Sequence, residues 1–408
     1  MRENRTARPG RSGVAAMAPD GPIVRPLPAG EFYGHGLNAE MRWEVMRGQG
    51  YAVPSASFFV RNHTATPLID AETWSLRVFG TGLRSAVTAG QAIRFSYQDL
   101  LDRSARTVVA SIECAGNGRR FFAGQQGQAV PGTPWRLGAI GVAAWRGVPL
   151  SDILDRAGIT AEAIEVMPYG LDPDYAVDGV SYGPVRRPIP VAKALDDVIL
   201  AYEMNGAPLP PGHGYPVRVI VPRWAGIASI KWAGAIEVSA TPLSSYWNTR
   251  AYRLFGPAYP ARGTLVTTQA IRSAFELAWD ARLPAHRDHL LTGRSWSGNG
   301  SIARTEISTD GGRRWHLAVP RRDVAGSGDA WQLWEFPWRT PGPGAYTLRW
   351  SGWFRGKAEA RPAQVMAGTE NGPVTVTDTQ WPRQAGISSP PRPTFPGKTA
   401  GQCGGSGI

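Results

Sequence analysis

The stretch TVVASIECAGNGRRFF, residues 107–122, decides how the chain folds around its most reactive side chain. A strand-like run ends at Cys114 and passes into small residues before Arg119 and Arg120. A cysteine that leaves a strand beside small residues lets a bulky ligand approach closely, and the two arginines favour the thiolate, the form that binds metals. Taken alone, Cys114 also fits a buried structural thiol beside a tight turn, so its role depends on the rest of the sequence.

The cysteine content limits the kinds of metal site that Cys114 can serve. The chain has two cysteines, Cys114 and Cys403, whereas zinc and iron–sulfur sites need several cysteines or histidines at short spacing. A single thiolate ligand therefore requires a cofactor that supplies the remaining ligands. Because Cys403 lies in a Gly-rich tail, we expect no stapling disulfide, and a reducing compartment fits best.

Composition and charge indicate a soluble globular protein that attracts anions. With 408 residues and 42% hydrophobic content, the chain can bury the cores of two or three domains. It has no run of about 20 apolar residues for a membrane helix. The basic N-terminus lacks a recognisable export signal, so we expect a cytoplasmic protein, or a periplasmic one if the N-terminus is incomplete. The net charge of +12 comes mostly from arginine, which suits oxyanions, and no basic run with interleaved aromatic residues indicates nucleic-acid binding.

The first half of the chain has the pattern of an α+β domain. Residues 1–30 are rich in Arg, Gly and Pro, and we expect them to be a disordered tail. Residues 31–255 combine strand-like runs, such as TVVASIEC and AIEVMPY, with helical stretches, such as FSYQDLLDRS and PLSDILDRAG. This mixture predicts a domain of strands with a few helices.

The second half reads as strands separated by turn signals. Residues 256–384 contain HLLTGRSWSG, WQLWEFPW and a hairpin signal in STDGGRRW, with Asp310, Gly311 and Gly312 in the turn. This pattern favours an immunoglobulin-like β-sandwich. Residues 385–408, rich in Pro, Gly and Ser, are expected to form a second disordered tail.

Several spaced motifs occur in one order. They are FFVRNH (58–63), CAGNGRR (114–120), PWRLGAIGVAAWRGVPLSDIL (134–154), YGLDPD (169–174), AYEMNGAPLPPGHGYPVRVIVP (201–222) and SIKW (229–232). Together they resemble the molybdopterin oxidoreductases of the sulfite oxidase and assimilatory nitrate reductase family. The resemblance implies a mixed α/β molybdopterin-binding domain followed by the family's immunoglobulin-like dimerisation domain.

The resemblance implies a molybdenum–molybdopterin cofactor with Cys114 as the protein's metal ligand. By motif position, the residues implied to hold the cofactor are Phe59, Val60, Arg61, Asn62, His63, Cys114, Asp172, His213, Arg218, Ser229, Ile230 and Lys231. The basic side chains among them suit the cofactor's phosphate and pterin edge, where charge-assisted hydrogen bonds are strong. We expect neither haem nor flavin, since no cytochrome-like segment and no nucleotide-binding glycine fingerprint occurs.

A second set of residues is implied to act on the substrate. It consists of Cys114, Arg61, Arg119, Trp135, Tyr252 and Arg383. The arginines would bind a small doubly charged oxyanion, Tyr252 would hydrogen-bond to it and modulate proton movement, and Trp135 would limit the size of the pocket. Arg383 is identified only by its approximate place in TQWPRQAG, because the family's C-terminal pattern is hard to follow beyond Trp350.

Among activities, the resemblance favours oxidation of sulfite to sulfate by oxo transfer at molybdenum, with electrons passing to an external acceptor such as a cytochrome. The segment AYEMNG (201–206) and Tyr252 in WNTRAYRLF favour sulfite as the substrate. Reduction of nitrate, or turnover of another oxyanion or an S-oxide, is an alternative, since fold and cofactor do not fix the substrate. A non-catalytic binding protein is a further alternative. The resemblance also implies a twofold homodimer.

Overall fold

The structure is a computed structural model of the chain. It describes residues 23–354, apart from residues 128–129, 256–258, 279 and 322–329, and beyond residue 354 it describes the backbone of three short strands. Arg383 and Cys403 lie outside the described residues, as do residues 1–22 and most of the predicted C-terminal tail. We call residues 23–255 the first region and residues 259–354 the second region.

The chain is built mostly of strands. In the first region these are β1 (Phe32–His35), β2 (Asn38–Met41), β3 (Ser75–Phe79), β4 (Ile93–Ser96), β5 (Arg106–Glu113), β6 (Ile140–Pro149), β7 (Glu165–Gly170), β8 (Ala176–Val177), β9 (Val180–Ser181), β10 (Ile189–Pro190), β11 (Ile199–Met204), β12 (Ala207–Pro208), β13 (Arg218–Ile220), β14 (Ala233–Ser239) and β15 (Arg253–Phe255). In the second region and beyond they are β16 (Thr264–Leu265), β17 (Arg272–Phe275), β18 (Asp280–Arg282), β19 (Asp288–Trp296), β20 (Ile302–Ser308), β21 (His316–Leu317), β22 (Val319–Pro320), β23 (Gln332–Arg339), β24 (Arg349–Phe354), β25 (Val365–Glu370), β26 (Gly372–Asp378) and β27 (Gly386–Ile387).

The helices are few and short. Within the described chain they are α1 (Tyr97–Leu101), α2 (Phe122–Gln126), α3 (Leu150–Ala157), α4 (Val191–Asp196) and α5 (Tyr246–Thr249), with 3-10 turns at Trp43–Met46, Ala89–Gln91, Arg119–Phe121, Pro211–His213 and Gly226–Ala228. The helices predicted in FSYQDLLDRS and PLSDILDRAG are confirmed as α1 and α3. Ser96 and Asp99 form a capping box at the start of α1, and Gly158, with φ +79°, ends α3. The first region thus mixes strands and helices as predicted, with strands predominating.

Two sheets organise the first region. One has the order β10-β7-β14-β3-β4, in which β14 runs parallel to β3, and the other has the order β12-β11-β6-β5, with β13 also paired to β11. β5 pairs antiparallel to β6 along its whole length, from Arg106 opposite Gly147 to Glu113 opposite Ile140. Because β6 is almost entirely buried, this pairing fixes the end of β5 inside the molecule. Cys114 follows that end.

The second region consists of antiparallel strands around a common core. One sheet has the order β17-β19-β23-β22 and another the order β21-β20-β24. Phe275, Leu291 and Trp334 from the first sheet pack with Ile307 and Trp350 from the second. The predicted hairpin is confirmed: β20 pairs with β21, and Gly311 and Gly312 in the turn have φ +78° and +97°, values that favour glycine.

One hydrophobic core spans both regions. Trp43 of the first region packs against Trp296 and Trp331 of the second, at ring-centroid distances of 5.9 and 6.4 Å. Tyr51 Oη donates a hydrogen bond of 2.8 Å to the carbonyl oxygen of Trp331. The same cluster of buried residues contains Cys114 and Trp135. The two regions are therefore packed together through the part of the core that surrounds the cysteine.

Parts of both predicted tails are placed by the structure. Arg25 donates hydrogen bonds to the carbonyl oxygens of Ala56 and Phe58, at 2.5 and 2.7 Å, so residues 23–30 lie on the first region rather than in a free tail. β27 pairs with Leu254 and Phe255 of β15. No helix in the part of the chain that the structure describes is long and apolar enough to cross a membrane.

Candidate cofactor and substrate site

Cys114 lies in a tight loop that is held at both ends by backbone hydrogen bonds. Its N–H donates to the carbonyl oxygen of Ala139 at 2.8 Å, and its own carbonyl accepts from the Asn117 N–H at 2.9 Å. A Cβ atom at Gly116 would lie 2.6 Å from the Arg119 guanidinium, so any larger residue here would displace the Arg119 side chain. The thiol is unpaired and 8% exposed. The loop therefore presents Cys114 at the wall of a cavity with little freedom to move.

The first cavity at Cys114, which we call the cofactor-side cavity, brings together most of the residues that the sequence implied for the cofactor. Those lining it are Phe59, Arg61, Asn62, His63, Cys114, Asp172, His213, Arg218, Ser229, Ile230 and Lys231. Val60 is buried behind the wall, where it pairs with Ala39. The residues come from separate motifs, so folding gathers them at one place.

Arg218 and Lys231 are buried cations held by neutral oxygen atoms. Arg218 donates from its two terminal nitrogens to the carbonyl oxygens of His213 and Ser229, at 2.9 and 3.0 Å. Lys231 Nζ donates to the Gly212 carbonyl at 2.9 Å and to the side-chain oxygen of Asn62. Burial lowers the pKa of Arg218 to about 9 and the pKa of Lys231 well below its usual value. Both charged groups therefore lose solvation energy by lying in the wall of the cavity.

His213 and Asp172 complete the polar wall of the cofactor-side cavity. The Nε2 atom of His213 and the Nε atom of Arg218 are buried without a hydrogen-bond partner among the described residues. Burial, followed by nearby cations, lowers the pKa of His213, so its ring is neutral at pH 7. Asp172 accepts from the Val185 N–H at 3.2 Å, and burial raises its pKa to about 6.

These polar atoms fit an anionic ligand with hydrogen-bonding edges. Asp172 is the one carboxylate among the described residues that line the cavity, against the three cations Arg61, Arg218 and Lys231. Unpartnered nitrogen atoms on His213 and Arg218 are costly unless a ligand supplies an acceptor. A phosphorylated heterocycle such as molybdopterin offers both the negative charge and the acceptors, so the residues present fit that group.

Cys114 also lines a second cavity, of about 270 Å³. We call it the substrate-side cavity. It is lined by Arg61, Arg119, Trp135 and Tyr252, which are the described residues that the sequence implied for the substrate. Arg119 is fixed by a hydrogen bond of 3.1 Å to the Thr133 carbonyl. Arg61, Cys114 and Tyr252 line both cavities, so a group bound at Cys114 would face both.

Tyr252 and His63 form a hydrogen-bonded pair between the two cavities. Tyr252 Oη lies 2.9 Å from His63 Nε2. Burial raises the pKa of Tyr252 and, with Arg61 and Lys231, lowers the pKa of His63, so both groups are uncharged at neutral pH. Tyr252 has φ +55°, an unusual backbone conformation for a non-glycine residue that occurs often at functional sites.

The substrate-side cavity also has an aromatic wall that the sequence analysis missed. Tyr175, Tyr246 and Trp247 line it, and the ring of Trp247 lies 4.3 Å from that of His63. Arg187 lies behind this wall, fully buried, and donates to the carbonyl oxygens of Trp247 and Val266. The aromatic run in SSYWNTRAY was the available signal, since large rings beside a predicted substrate tyrosine indicate a pocket wall.

No cluster of three or more His, Cys, Asp or Glu side chains that could hold a metal by themselves occurs among the residues that the structure describes. Cys114 therefore belongs to no such cluster in that part of the chain.

Comparisons with known proteins bear on this site. Residues 63–247 match the profile of the oxidoreductase molybdopterin binding domain. The chain is 34% identical to mouse mitochondrial sulfite oxidase over 324 residues, 75% of this chain and 56% of the mouse protein, and 34% identical to chicken sulfite oxidase over 315 residues, 73% and 65%. Barley nitrate reductase [NAD(P)H] is 29% identical over 307 residues, 69% of this chain and 33% of that protein.

Among solved structures, the sulfane dehydrogenase SoxCD from Paracoccus pantotrophus superposes with a TM-score of 0.69 at 23% identity, covering 84% of this chain and 87% of that one. This likeness shows a shared fold. The chain spans about half the length of the mammalian sulfite oxidases that it matches.

Proposed function

The chain belongs to the sulfite oxidase family of molybdopterin oxidoreductases, and from this premise we propose that it binds a molybdenum–molybdopterin cofactor through Cys114 and oxidises sulfite to sulfate. The observation that carries the proposal is the excess of positive charge that lines the two cavities at Cys114. Arg61, Arg218 and Lys231 line the cofactor-side cavity against one carboxylate, and Arg119 faces the substrate side. An anionic cofactor and an anionic substrate would each balance part of this charge.

The cofactor would be held by the polar wall of the cofactor-side cavity. Arg218, Lys231 and His213 would bind its phosphate and pterin edge, and the Cys114 thiolate would coordinate the metal. When bound, molybdenum supplies two-electron oxo-transfer chemistry, which no protein side chain offers. The protein itself would fix the position of the cofactor, exclude water from it and orient the substrate.

Substrate binding would rest on Arg61 and Arg119. Two guanidinium groups at the same cavity suit a small dianion such as sulfite, because each presents a planar set of donors. Tyr252 remains protonated, so its hydroxyl can donate either to His63 or to a substrate oxygen. Trp135 and the aromatic wall limit what can enter.

Metal analysis and paired assays test this proposal. Protein purified from a host that makes the cofactor is expected to contain molybdenum and to reduce ferricyanide when sulfite is added. Arg119→Gln should raise KM for sulfite by about tenfold or more, the effect of losing a charge-assisted hydrogen bond. Arg120→Gln, at the exposed neighbouring position, is the matched control and should leave KM unchanged. Protein without molybdenum would overturn the proposal.

Nitrate reduction is the second candidate, supported by the 29% identity to plant nitrate reductase. Activity with nitrate and reduced viologen, and none with sulfite, would favour it over sulfite oxidation. With a volume of about 270 Å³, the substrate-side cavity can also take an S-oxide, and a panel of S-oxides with the same electron donor tests this possibility.

We further propose that the second region is an immunoglobulin-like dimerisation domain and that an external cytochrome accepts the electrons. The two packed sheets of the second region support the first point. Light scattering at micromolar concentration should give the mass of a dimer, and a strictly monomeric protein would contradict it. Reduction of an added cytochrome c on sulfite addition tests the acceptor.

A further inference from the structure

Glu113, the residue immediately before Cys114, is a buried carboxylate whose two oxygen atoms both accept hydrogen bonds. Its side chain is 4% exposed. Oε1 accepts from the Asn117 amide at 3.1 Å and from the Arg272 guanidinium, and Oε2 accepts from Trp296 Nε1 at 3.1 Å. A buried carboxylate needs such partners, because an unpaired one would lose its solvation without compensation. Two of the three donors come from the second region.

Arg272 also contacts the other side of the Cys114 loop. The same terminal nitrogen donates at 3.0 Å to the carbonyl oxygen of Asn117, and the Asn117 side-chain oxygen accepts from the Ala139 N–H at 3.1 Å. Arg272 therefore touches the residue before Cys114 and the residue three positions after it. The loop that presents the thiol is closed across its base by a side chain that lies more than 150 residues further along the chain.

The sheet register explains why these two donors act together. Arg272 on β17 lies directly opposite Trp296 on β19, in an antiparallel pair. Cross-strand neighbours on one face point in the same direction, so the pair presents two donors to one carboxylate. Local sequence around Cys114 supplies only Asn117 as a third donor to Glu113. The second region thus completes the support of the loop.

We propose that Arg272 and Trp296 are positioning residues for the Cys114 loop, so that the second region sets the geometry of the thiol in addition to any role in association. The consequence for catalysis rests on the proposed function of Cys114, but the structural claim does not. It concerns the loop in the protein with or without its cofactor. Its test can therefore be made on the apoprotein.

Hydrogen exchange at the loop amides is the direct measurement. In residues 114–121, the N–H groups of Cys114, Asn117 and Gly118 are among those hydrogen-bonded within the loop or to the segment that follows it. Arg272→Met removes the donor while keeping an apolar side chain of similar length. We expect amide exchange in residues 114–121 of the apoprotein to become about tenfold faster or more.

Arg294→Met is the matched control. Arg294 lies on β19, two residues from Trp296, and its side chain is 1% exposed against 11% for Arg272. It joins the two regions by donating to the carbonyl oxygens of Met46, Gln49 and Gly50. Within the described chain, none of its hydrogen bonds reaches the Cys114 loop. Where exchange proceeds by local opening rather than by global unfolding, its replacement should speed exchange at residues 46–51 and leave residues 114–121 within about twofold of the wild type. A general loosening of the interface would affect both segments in both variants, and that result would overturn the proposal.

Milder variants keep the test decisive if Arg272→Met does not fold. Trp296→Phe deletes one donor to Glu113, and Arg272→Lys keeps the charge; exchange in the loop should rise in the first and be largely restored in the second. In the holoenzyme, Arg272→Met should shift the electron paramagnetic resonance of molybdenum(V), which Arg294→Met should not. Unchanged loop exchange in Arg272→Met and Trp296→Phe refutes the positioning role, whereas absence of molybdenum refutes only the proposed function.

Discussion

Buried cations in two parts of the molecule differ in what neutralises them. At the interface of the two regions, Arg272 pairs with Glu113, and Arg294 pairs with Glu276 at 2.6 Å. In the cofactor-side cavity, Arg218 donates to the carbonyl oxygens of His213 and Ser229 and pairs with no carboxylate in the described chain. Carboxylates of the protein therefore neutralise the interface cations, whereas Arg218 is held only by neutral oxygen atoms.

This difference separates side chains that stabilise the fold from side chains held for a ligand. A buried ion that is paired is compensated by its partner for much of the solvation that it loses. Removing one partner leaves the other charge uncompensated. An unpaired buried cation lowers the stability of the empty protein and gains its compensation only when an anion binds. The contrast therefore predicts that the same kind of substitution lowers the stability of the apoprotein much more at the interface than in the cavity.

The largest expected effect is at the interface. Arg294→Met should lower the free energy of unfolding by about 3–5 kcal/mol, because it leaves the buried Glu276 carboxylate and four carbonyl oxygens without their donor. Urea unfolding followed by tryptophan fluorescence measures the change. The double variant Arg294→Met/Glu276→Leu should recover part of the loss, since no uncompensated charge remains. A fall in the free energy of unfolding of less than about 1 kcal/mol in the single variant would show that the paired interface cation does not stabilise the fold.

Asp172, the carboxylate among the described residues that line the cofactor-side cavity, should make the stability of the apoprotein depend on pH. The folded-state pKa of Asp172 is about 6, above its ordinary value of 3.8, so the folded protein binds this proton more tightly than the unfolded chain. Stability from this group is then fully present below pH 4 and falls as the pH rises to about 6, a difference of about 3 kcal/mol at neutral pH. Asp172→Asn should abolish that fall in the apoprotein.

Urea unfolding of the wild type and Asp172→Asn at pH 4 and pH 7 makes the comparison. The exposed neighbour Asp174 provides the control, since Asp174→Asn should leave the pH dependence as in the wild type. If the free energy of unfolding changes equally between pH 4 and pH 7 in the wild type and in Asp172→Asn, burial in the cavity does not raise the pKa of Asp172.

The smallest expected effect is on cofactor retention. Arg218→Met should change the stability of the apoprotein by less than half the loss seen in Arg294→Met, because relief of a buried unpaired charge offsets two lost hydrogen bonds. Cofactor affinity should fall by about 2 kcal/mol, or roughly 30-fold. Molybdenum retained after dialysis measures this, with the exposed Arg156→Met as control. Full retention in Arg218→Met would count against its proposed role.

Local pattern predicted the elements that carry the site. The run TVVASIEC became β5 with Cys114 at its end, the turn at Gly311 and Gly312 formed the expected hairpin, and the helices α1 and α3 were found where their periodicity and caps indicated. These features depend on residues close together in the chain. The family motifs likewise brought most of the implied cofactor residues to one cavity.

Long-range partners could not be predicted in the same way. Nothing in the sequence near Glu113 indicates Arg272 or Trp296 as its partners, since their meeting depends on how β17 and β19 pair and how the regions pack. In the sequence, nothing distinguishes Arg187 from the other arginines. The structure shows that it is buried behind Trp247. Such contacts follow from tertiary packing, which carries no short-range sequence signal.

The core shared by Trp43, Trp296 and Trp331 has a consequence for biosynthesis. A ribosome releases the Cys114 loop well before it has made β17 and β19, so the loop emerges before the side chains that close its base. Insertion of the metal centre should then be a late event, completed only after translation has passed residue 331. Nascent chains arrested before β17 should fail to take up the cofactor even where all the residues of the cofactor-side cavity have been synthesised.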